Sequence, residues 1–497
     1  MMYDGRRNMK QNNVWYKNKL LWLILLLGLI IRIVFMFHAP QILFDAKDYD
    51  ALGKSISEGK GFNIEGITNT PYLGIRSPGY PVFLGIIYYL FGYNHWAVYC
   101  IQILLDLVVV ILLFLFLEKV FPNKNYTYVG AFFWSINLMS AYYTVSLLTE
   151  TLYIFLFMLS LYIFYIKIYM EKKFYYLMWL SLVLGYASLI KPFLVHVYVL
   201  FILILLYFFY ISFKKTTLSK QSKVIHSLKL TLSKISTYIF PKKRRKYSLM
   251  VFIVSLMLFT LLSSAFIFRN YYLFKEHVNS EIGTSLAFVG GNPNMFTTKD
   301  RAYLNTLTLD EYKNFTPLRA LNNSRIVTSY FKDKLREHPF IFLSNSAIRA
   351  SLFWFEPFAI RSVFILDKPQ DAQGAQTAFD KTYTPSLSFV QTYGVLGFFK
   401  DLSFKFLLAV ILIFMLWLFL LILSVYGLYL LFFKYGAQFL AVLVILLCLY
   451  FTAIYALTTV GPRYFIQNLL LLLIPSSVAI FEIWFSIRKN FRDKRYI

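Results

Sequence analysis

Asp45, Asp48 and Tyr49 stand close together in the stretch FDAKDYD, directly after a long apolar run. A carboxylate at a lipid–water boundary can stay ionised and take a proton from a hydroxyl brought to it. A further acid, Glu150, sits in YYTVSLLTETLYIFLF with apolar residues on both sides. Ionisable groups at such depth are costly and usually serve a function. Three cations join these acids: Arg76 before the Pro78-Gly79-Tyr80-Pro81 turn, Lys191 in SLIKPF and Arg463 in TTVGPRYFIQN. A phosphate or similar anion gives such isolated cations a purpose. Plainer readings stay open on the residues alone. Asp45 and Asp48 could simply solvate a loop, Glu150 could snorkel to water, and the cations could anchor to lipid headgroups.

The elements that must position these residues are membrane helices. Of the 497 residues, 59% are hydrophobic, 20% aromatic and only 15% charged. A soluble fold carries nearer a quarter charged residues, so the surplus apolar surface must meet lipid. Apolar runs long enough to cross a bilayer recur at 20–38, 97–117, 127–145, 148–168, 174–190, 193–212, 248–268, 406–432, 437–458 and 466–487. In lipid each run must satisfy its own backbone, so each is expected as a helix. Pro81–Phe91 is apolar but short and reads as a re-entrant or interfacial helix. Leu20–Phe37 has the basic flank of a signal peptide but no small-residue cleavage site, and reads as a retained first span. Cys100 and Cys448 lie inside distant apolar runs and suggest no disulfide framework.

Net charge is +26, yet the cations come in short blocks between apolar runs rather than on a face interleaved with exposed aromatics, which argues against nucleic acid. With ten spans every basic block falls on one side, which the orientation rule makes cytoplasmic together with both termini. The stretch 213–247 carries Lys214, Lys215, Lys220, Lys223, Lys229, Lys234 and Lys242 to Lys246 with no acid among them. This gives an N-terminal module, 1–268, with an external loop at 39–78 and a basic cytoplasmic loop at 213–247. An external segment, 269–405, and C-terminal helices, 406–497, follow. In the first loop Leu52 and Ile56 continue from Tyr49 at helical spacing, so a short interfacial helix is expected, closed by Gly59 and Gly61. The aromatic-rich stretch Ala350–Phe358 is expected to lie on the membrane. No internal repeat is evident, unlike transporters built from inverted halves.

The order of these pieces resembles the GT-C glycosyltransferases, and within them the lipid A aminoarabinose transferases and the protein O-mannosyltransferases. The matching residues are Asp45-x-x-x-Tyr49 after the first span, Arg76-x-Pro-Gly-Tyr80-Pro, SLLTE ending at Glu150, and Lys191-Pro192. Arg269-Asn270-Tyr271, Gly291-Asn292-Pro293-Asn294, Glu337-His338-Pro339 and Gly461-Pro462-Arg463-Tyr464 continue the match, so the resemblance spans nearly the whole chain. One departure stands out. The protein mannosyltransferases carry an Asp-Glu pair in the first loop, whereas here Ala46 follows Asp45, leaving Asp45 as the matched acid.

The resemblance implies an all-α polytopic fold of about ten transmembrane helices, with interfacial helices and one large external segment. It implies an enzyme of the cell (inner or plasma) membrane that moves one hexose or pentose from a polyprenyl-phosphate donor to an acceptor hydroxyl at the outer face. The acceptor would be a glycolipid, a glycan or a protein. Polyprenyl phosphate leaves readily, so the acceptor needs a base and the phosphate needs positive charge. Asp45 is then the base, Arg76, Lys191 and Arg463 hold the phosphate, and Glu150 orients the acceptor or a cation. Asp48, Tyr49, Tyr80, Arg269, Asn292, His338 and Tyr464 are weaker substrate-binding candidates. One base and no nucleophile imply inversion. Some relatives bridge the acid and the phosphate with a divalent cation (Mg, Mn or Zn), but no compact ligand set is visible in the sequence. Two other readings remain: an O-antigen ligase or polymerase working around Arg336, His338 and Arg349, and a lipid-linked-glycan flippase, for which Arg32 and Asp106 would be the mid-span charges.

Overall fold

In the computed structural model the chain forms helices at nearly every expected apolar run. The structure describes residues 15–37, 42, 45–62, 76–121, 125–213, 245–274, 317–355, 404–457 and 465–493, with isolated positions at 295, 297, 299–300 and 303. Fifteen helices are described, with no strand among the described residues. They are α1 Lys19–Phe37, α2 Asp45–Ser57, α3 Gly79–Phe91, α4 His95–Val120, α5 Asn125–Ser135, α6 Leu138–Thr144, α7 Glu150–Tyr162, α8 Tyr176–Ser188 and α9 Leu194–Phe213. After them come α10 Arg245–Phe274, α11 Pro317–Glu337, α12 Pro339–Phe355, α13 Phe404–Phe433, α14 Gln438–Leu457 and α15 Ile466–Asp493.

Among the described residues, seven stretches are long and apolar enough to span a bilayer: Lys19–Phe37, His95–Val120, Glu150–Met170, Tyr247–Ala265, Phe414–Phe433, Gln438–Leu457 and Ile466–Arg488. The chain is an all-α, multi-pass membrane protein. Three further apolar helices are shorter, Gly79–Phe91, Tyr176–Ser188 and Leu194–Phe208. The run expected as one span at 127–145 is two helices, α5 and α6, broken at Asn137. The Asn137 side chain caps α6 by accepting from the Ser140 N–H at 2.7 Å. An asparagine oxygen competes for backbone donors in this way, and it ends one helix while starting the next.

The chain divides into two compact units, Met1–Arg76 with Pro81–Ile154 and Val278–Ile497, and Ser77–Tyr80 with Phe155–His277. In the first, α1 packs on α4, α5 and α6 around a buried ion pair. Arg32, fully buried, donates from Nε to Asp106 Oδ2 at 2.7 Å and from Nη1 to the Gly28 and Ser135 carbonyls at 2.9 and 2.6 Å. Its Nη2 also reaches Asp106, and it donates to Ser140 Oγ at 2.9 Å, while the Trp134 indole donates to Asp106 Oδ1 at 3.1 Å. Mid-span charges persist in lipid when they are paired and fully hydrogen-bonded like this.

Later in the same unit α15 packs closely on α13. A Cβ on Gly427 would fall 1.9 Å from the carbonyl oxygen of Pro475, the proline inside α15. Only glycine lets the two backbones approach so near. Ser424 and Ser476 bond each other across this seam at 2.7 Å. Glu482 of α15 gathers the hydroxyls of Tyr126 and Tyr435 and the Lys434 ammonium. Helix α12, which includes the described part of the aromatic stretch, lies against α14. There Arg349 Nε donates to the Ala456 carbonyl at 2.6 Å and the Trp354 indole to Thr452 Oγ1 at 3.1 Å.

In the second unit α7 runs on as a π-helix over Ile163–Met170, and α8 packs on α9 and α10. Tyr198 ties the three together. Its ring stacks on Phe259 at 3.7 Å and its hydroxyl lies 3.0 Å from Ser181 Oγ.

Candidate functional site

The first loop folds into α2 earlier than apolar spacing suggested. The helix starts at Asp45 rather than near Tyr49, so Asp45 and Asp48 occupy its first turn, one above the other on the same side. A first turn is the positive end of the helix dipole, which favours the ionised form of a carboxylate placed there. The helix ends before Gly59 and Gly61, as expected.

Arg76 closes on both acids. Its Nη2 donates to Asp45 Oδ1 at 2.6 Å and to Asp48 Oδ2 at 2.9 Å, and its Nε donates to Asp48 Oδ2 at 3.1 Å. The guanidinium carbon sits 5.6 Å from the centre of the Tyr49 ring. The three side chains are 18%, 12% and 21% exposed for Asp45, Asp48 and Arg76, so the clamp is sheltered but not sealed inside the protein. Burial holds the Asp48 carboxyl above the ordinary carboxylate value despite Arg76 beside it, and the charge of Asp45 adds to the rise. Burial alone would lower the Arg76 guanidinium, but Asp45, then Tyr49 and Asp48, hold it above its usual value.

A second cluster on α2 escaped the sequence reading. Asp50 accepts from the Tyr88 and Tyr93 hydroxyls, both at 2.6 Å, and lies 3.1 Å from His95 Nε2. Burial pushes the Asp50 carboxyl up, but its hydrogen bonds with His95, Tyr88 and Tyr93 together outweigh that and hold it below the ordinary value. These residues come from the end of α3, the following turn and the start of α4. They fix α2 against that hairpin and so set where Asp45 and Asp48 stand. A Tyr and a His flanking a helix–turn–helix were visible in the sequence, but nothing local linked them to Asp50.

Glu150 is the first residue of α7 and is 1% exposed. The bend before it is pinned by Gln102 of α4, whose amide donates to the Thr144 and Ser146 carbonyls, both at 3.0 Å. Thr149 Oγ1 donates to Glu150 Oε2 at 3.4 Å, and the Tyr153 hydroxyl lies within electrostatic reach of Glu150, Tyr450 and Tyr455. The acid is therefore held on a rigid, buried element rather than snorkelling to water.

In the second unit, Lys191 sits in the turn between α8 and α9, and its N–H donates to the Ala187 carbonyl at 2.9 Å. Two residues before it, the Leu189 carbonyl accepts from Gly79 N at 2.8 Å, and a Cβ on Gly79 would lie 2.9 Å from that same carbonyl. The glycine of the Pro-Gly-Tyr-Pro turn is thus what lets it dock on the turn that carries Lys191. Tyr80 is fully buried in α3, and Arg269 lies within α10. His338, between α11 and α12, is exposed, with its Nε2 3.9 Å from Glu337 Oε2. Asn292, Arg463 and Tyr464 lie outside the described residues. The structure thus brings together Asp45, Asp48, Tyr49 and Arg76 among the expected site residues. Glu150 and Lys191 are each placed on their own element. Among the described residues no three His, Cys, Asp or Glu side chains come together as a metal-ligand set.

Residues 75–240, a third of the chain, match the family model described as dolichyl-phosphate-mannose-protein mannosyltransferase. The matched stretch contains Arg76, Tyr80, Glu150 and Lys191, and begins after Asp45, Asp48 and Tyr49. No curated protein matches the chain. The similarity to GT-C membrane glycosyltransferases of the mannosyltransferase kind, read first from the residues, stands on this match.

Proposed function

We propose that this protein transfers a single sugar from a polyprenyl-phosphate donor to an acceptor hydroxyl at the outer face of the cell (inner or plasma) membrane, with inversion at the anomeric carbon. Both chain ends then lie in the cytoplasm, and the acceptor is a glycolipid, a glycan or a protein. The observation that carries this reading is the clamp of Arg76 on Asp45 and Asp48: a proton acceptor and a phosphate-binding cation in one half-sheltered place.

In the reaction, the acceptor oxygen bonds to the anomeric carbon while the bond from that carbon to the phosphate oxygen breaks. Asp45 takes the acceptor's proton. The phosphate leaves with its charge held by Arg76, helped by Lys191 and Arg463. Glu150, fixed on the first turn of α7, orients the acceptor or one of the cations. Polyprenyl phosphate departs as a stabilised anion, so no strong acid is required at that end.

The direct test is Asp45→Asn, which keeps shape and hydrogen-bonding capacity but cannot take a proton. In a purified assay with defined donor and acceptor, transfer should fall by about two or more orders of magnitude while the melting temperature stays near wild type. An active Asp45→Asn enzyme removes Asp45 as the base. It would send the search to the 269–405 segment, where a ligase would work.

A further inference from the structure

Helices α11 and α12 meet at the turn of His338 and share a small core. Phe331 of α11 meets Phe342 of α12 edge-on at 5.9 Å, beside Met295 and Val327. Their exposed faces differ in chemistry. The end of α11 presents Lys332, Asp333, Arg336 and Glu337, with the Arg336 and Asp333 side chains 82% and 60% exposed. Directly after Pro339, α12 exposes Phe340, Leu343, Ser344, Ala347, Ile348 and Ser351. These positions recur every three or four residues, so they form one stripe along the helix. Phe340 is 83% exposed and Leu343 60%, and the stripe carries no charge. The one charged residue of α12 is Arg349, which is buried and donates from Nε to the Ala456 carbonyl of α14 at 2.6 Å.

We propose that this stripe is a bilayer-facing surface. Helix α12 enters the lipid beside the Leu457 end of α14, with Phe340, Leu343, Ala347 and Ile348 toward the acyl chains, while the exposed face of α11 stays in water.

Depth follows from the contacts with α14, whose whole length, Gln438–Leu457, is apolar enough to span a bilayer. Arg349 reaches Ala456 next to the end of that span, and Trp354 donates to Thr452 Oγ1 at 3.1 Å, four residues further in. Four residues of helix rise about 6 Å, so α12 runs antiparallel to α14 and descends beside it instead of lying flat across its end. The Trp354 indole thus sits just inside the boundary, the level at which tryptophan collects in membrane proteins. Polarity gives the same boundary independently. A charged face on α11 and an uncharged apolar stripe on α12 are separated only by His338 and Pro339. Water suits the first and lipid the second, and the surface of a bilayer is where the two are adjacent.

Lipid is also the neighbour that α14 itself calls for. The span exposes Leu446, Leu449 and Leu457, so apolar surface continues on the helix against which α12 rests. The 269–405 segment is then bound to the membrane from Phe340 onward, ahead of the Ala350–Phe358 stretch expected to lie there.

The test is spin labelling of the full-length protein in phosphatidylcholine vesicles, with Cys100→Ala and Cys448→Ala as background. Single cysteines replace Leu343, Ala347 and Ile348 on the stripe, and Lys332, Asp333 and Arg336 on α11. Power saturation compares collisions with oxygen, which concentrates in lipid, against collisions with a water-soluble nickel chelate. Stripe labels should favour oxygen several-fold and α11 labels the chelate, with the crossover between Arg336 and Leu343. Ser344→Cys and Ser351→Cys, small replacements on the same stripe, repeat the measurement should a larger residue's variant fail to fold. Stripe labels that favour the chelate overturn the proposal, because the face is then in water. Stripe labels immobile and shielded from both reagents overturn it as well, because protein, from this chain or a second copy, then covers the face. Labels on α11 that favour oxygen remove the boundary at the turn, and the proposal with it.

Discussion

Replacing Arg32 with leucine should destabilise the protein by several kcal/mol, whereas replacing Arg32 and Asp106 together should cost much less. The magnitude follows from the contacts. Arg32 is fully buried, and the Asp106 side chain is 3% exposed. With leucine at position 32, Asp106 keeps only the Trp134 indole at 3.1 Å and loses its counter-charge. Breaking a buried pair from one side costs about 3–5 kcal/mol, because the remaining charge has no compensation. Removing both charges leaves a smaller debt. Ser140 Oγ still donates to the Asn137 carbonyl at 3.1 Å, and the carbonyls of Gly28 and Ser135 are neutral acceptors. The orphaned group is the Trp134 N–H, at about 1–3 kcal/mol. The pair should therefore show a coupling of a few kcal/mol in a double-mutant cycle. The assay is the fraction of monodisperse protein that survives heating in detergent, since membrane proteins rarely unfold reversibly. Arg32→Leu should lose roughly 5–10 °C, and Arg32→Leu with Asp106→Leu should recover most of it. A double variant as labile as the worse single variant would refute the reasoning. So would an Arg32→Leu protein that melts with wild type. Either outcome would reopen a working role for these charges, such as the flippase reading requires.

Two further outcomes follow from close contacts. Gly427→Ala places a methyl 1.9 Å from the Pro475 carbonyl oxygen, so α13 and α15 must part. It should cost about 1–3 kcal/mol or more, and an unchanged melting temperature would contradict that seam. Asp50 is an acid held below its ordinary value, so its contribution is present above about pH 4 and fades as pH falls through its lowered value in the folded protein. Asp50→Asn should cost about 1–3 kcal/mol at neutral pH and flatten the loss of stability on acidification; an acid profile identical to wild type would rule this out.

The span pattern was legible because lipid demands it: a run of about 20 apolar residues has few alternatives to a helix. What misled was local chemistry within a run. Nothing in the hydropathy of 127–145 announces that Asn137 will use its side chain to cap a new helix, or that Gln102 will hold the carbonyls of the bend beyond it. The site was legible residue by residue but not as an assembly. Asp45, Asp48 and Arg76 each drew notice from their place at the ends of apolar runs. Their pairing spans 31 and 28 positions, a separation at which no periodicity connects residues. The Asp50 cluster, with partners 38, 43 and 45 positions away, was invisible for the same reason. Glu150 was the opposite case. An acid inside apolar sequence announced itself, and burial at 1% bears out that it is no surface group.

The two arginine–aspartate arrangements show why charge in a membrane protein cannot be read by residue type alone. Arg32 and Arg76 are the same side chain, each facing aspartate close to an apolar helix. Around Arg32 the acid, a serine hydroxyl and two helix carbonyls close the set inside the bundle, and any motion would leave a bare charge in lipid. Around Arg76 two acids share one cation in a partly exposed clamp, with one nitrogen of the guanidinium bonded to neither acid. The cost of separating a pair rises with its burial, so the first arrangement serves stability, while the second leaves its charges nearer the surface. The chemistry proposed here depends on that difference in burial, more than on the identity of the residues involved.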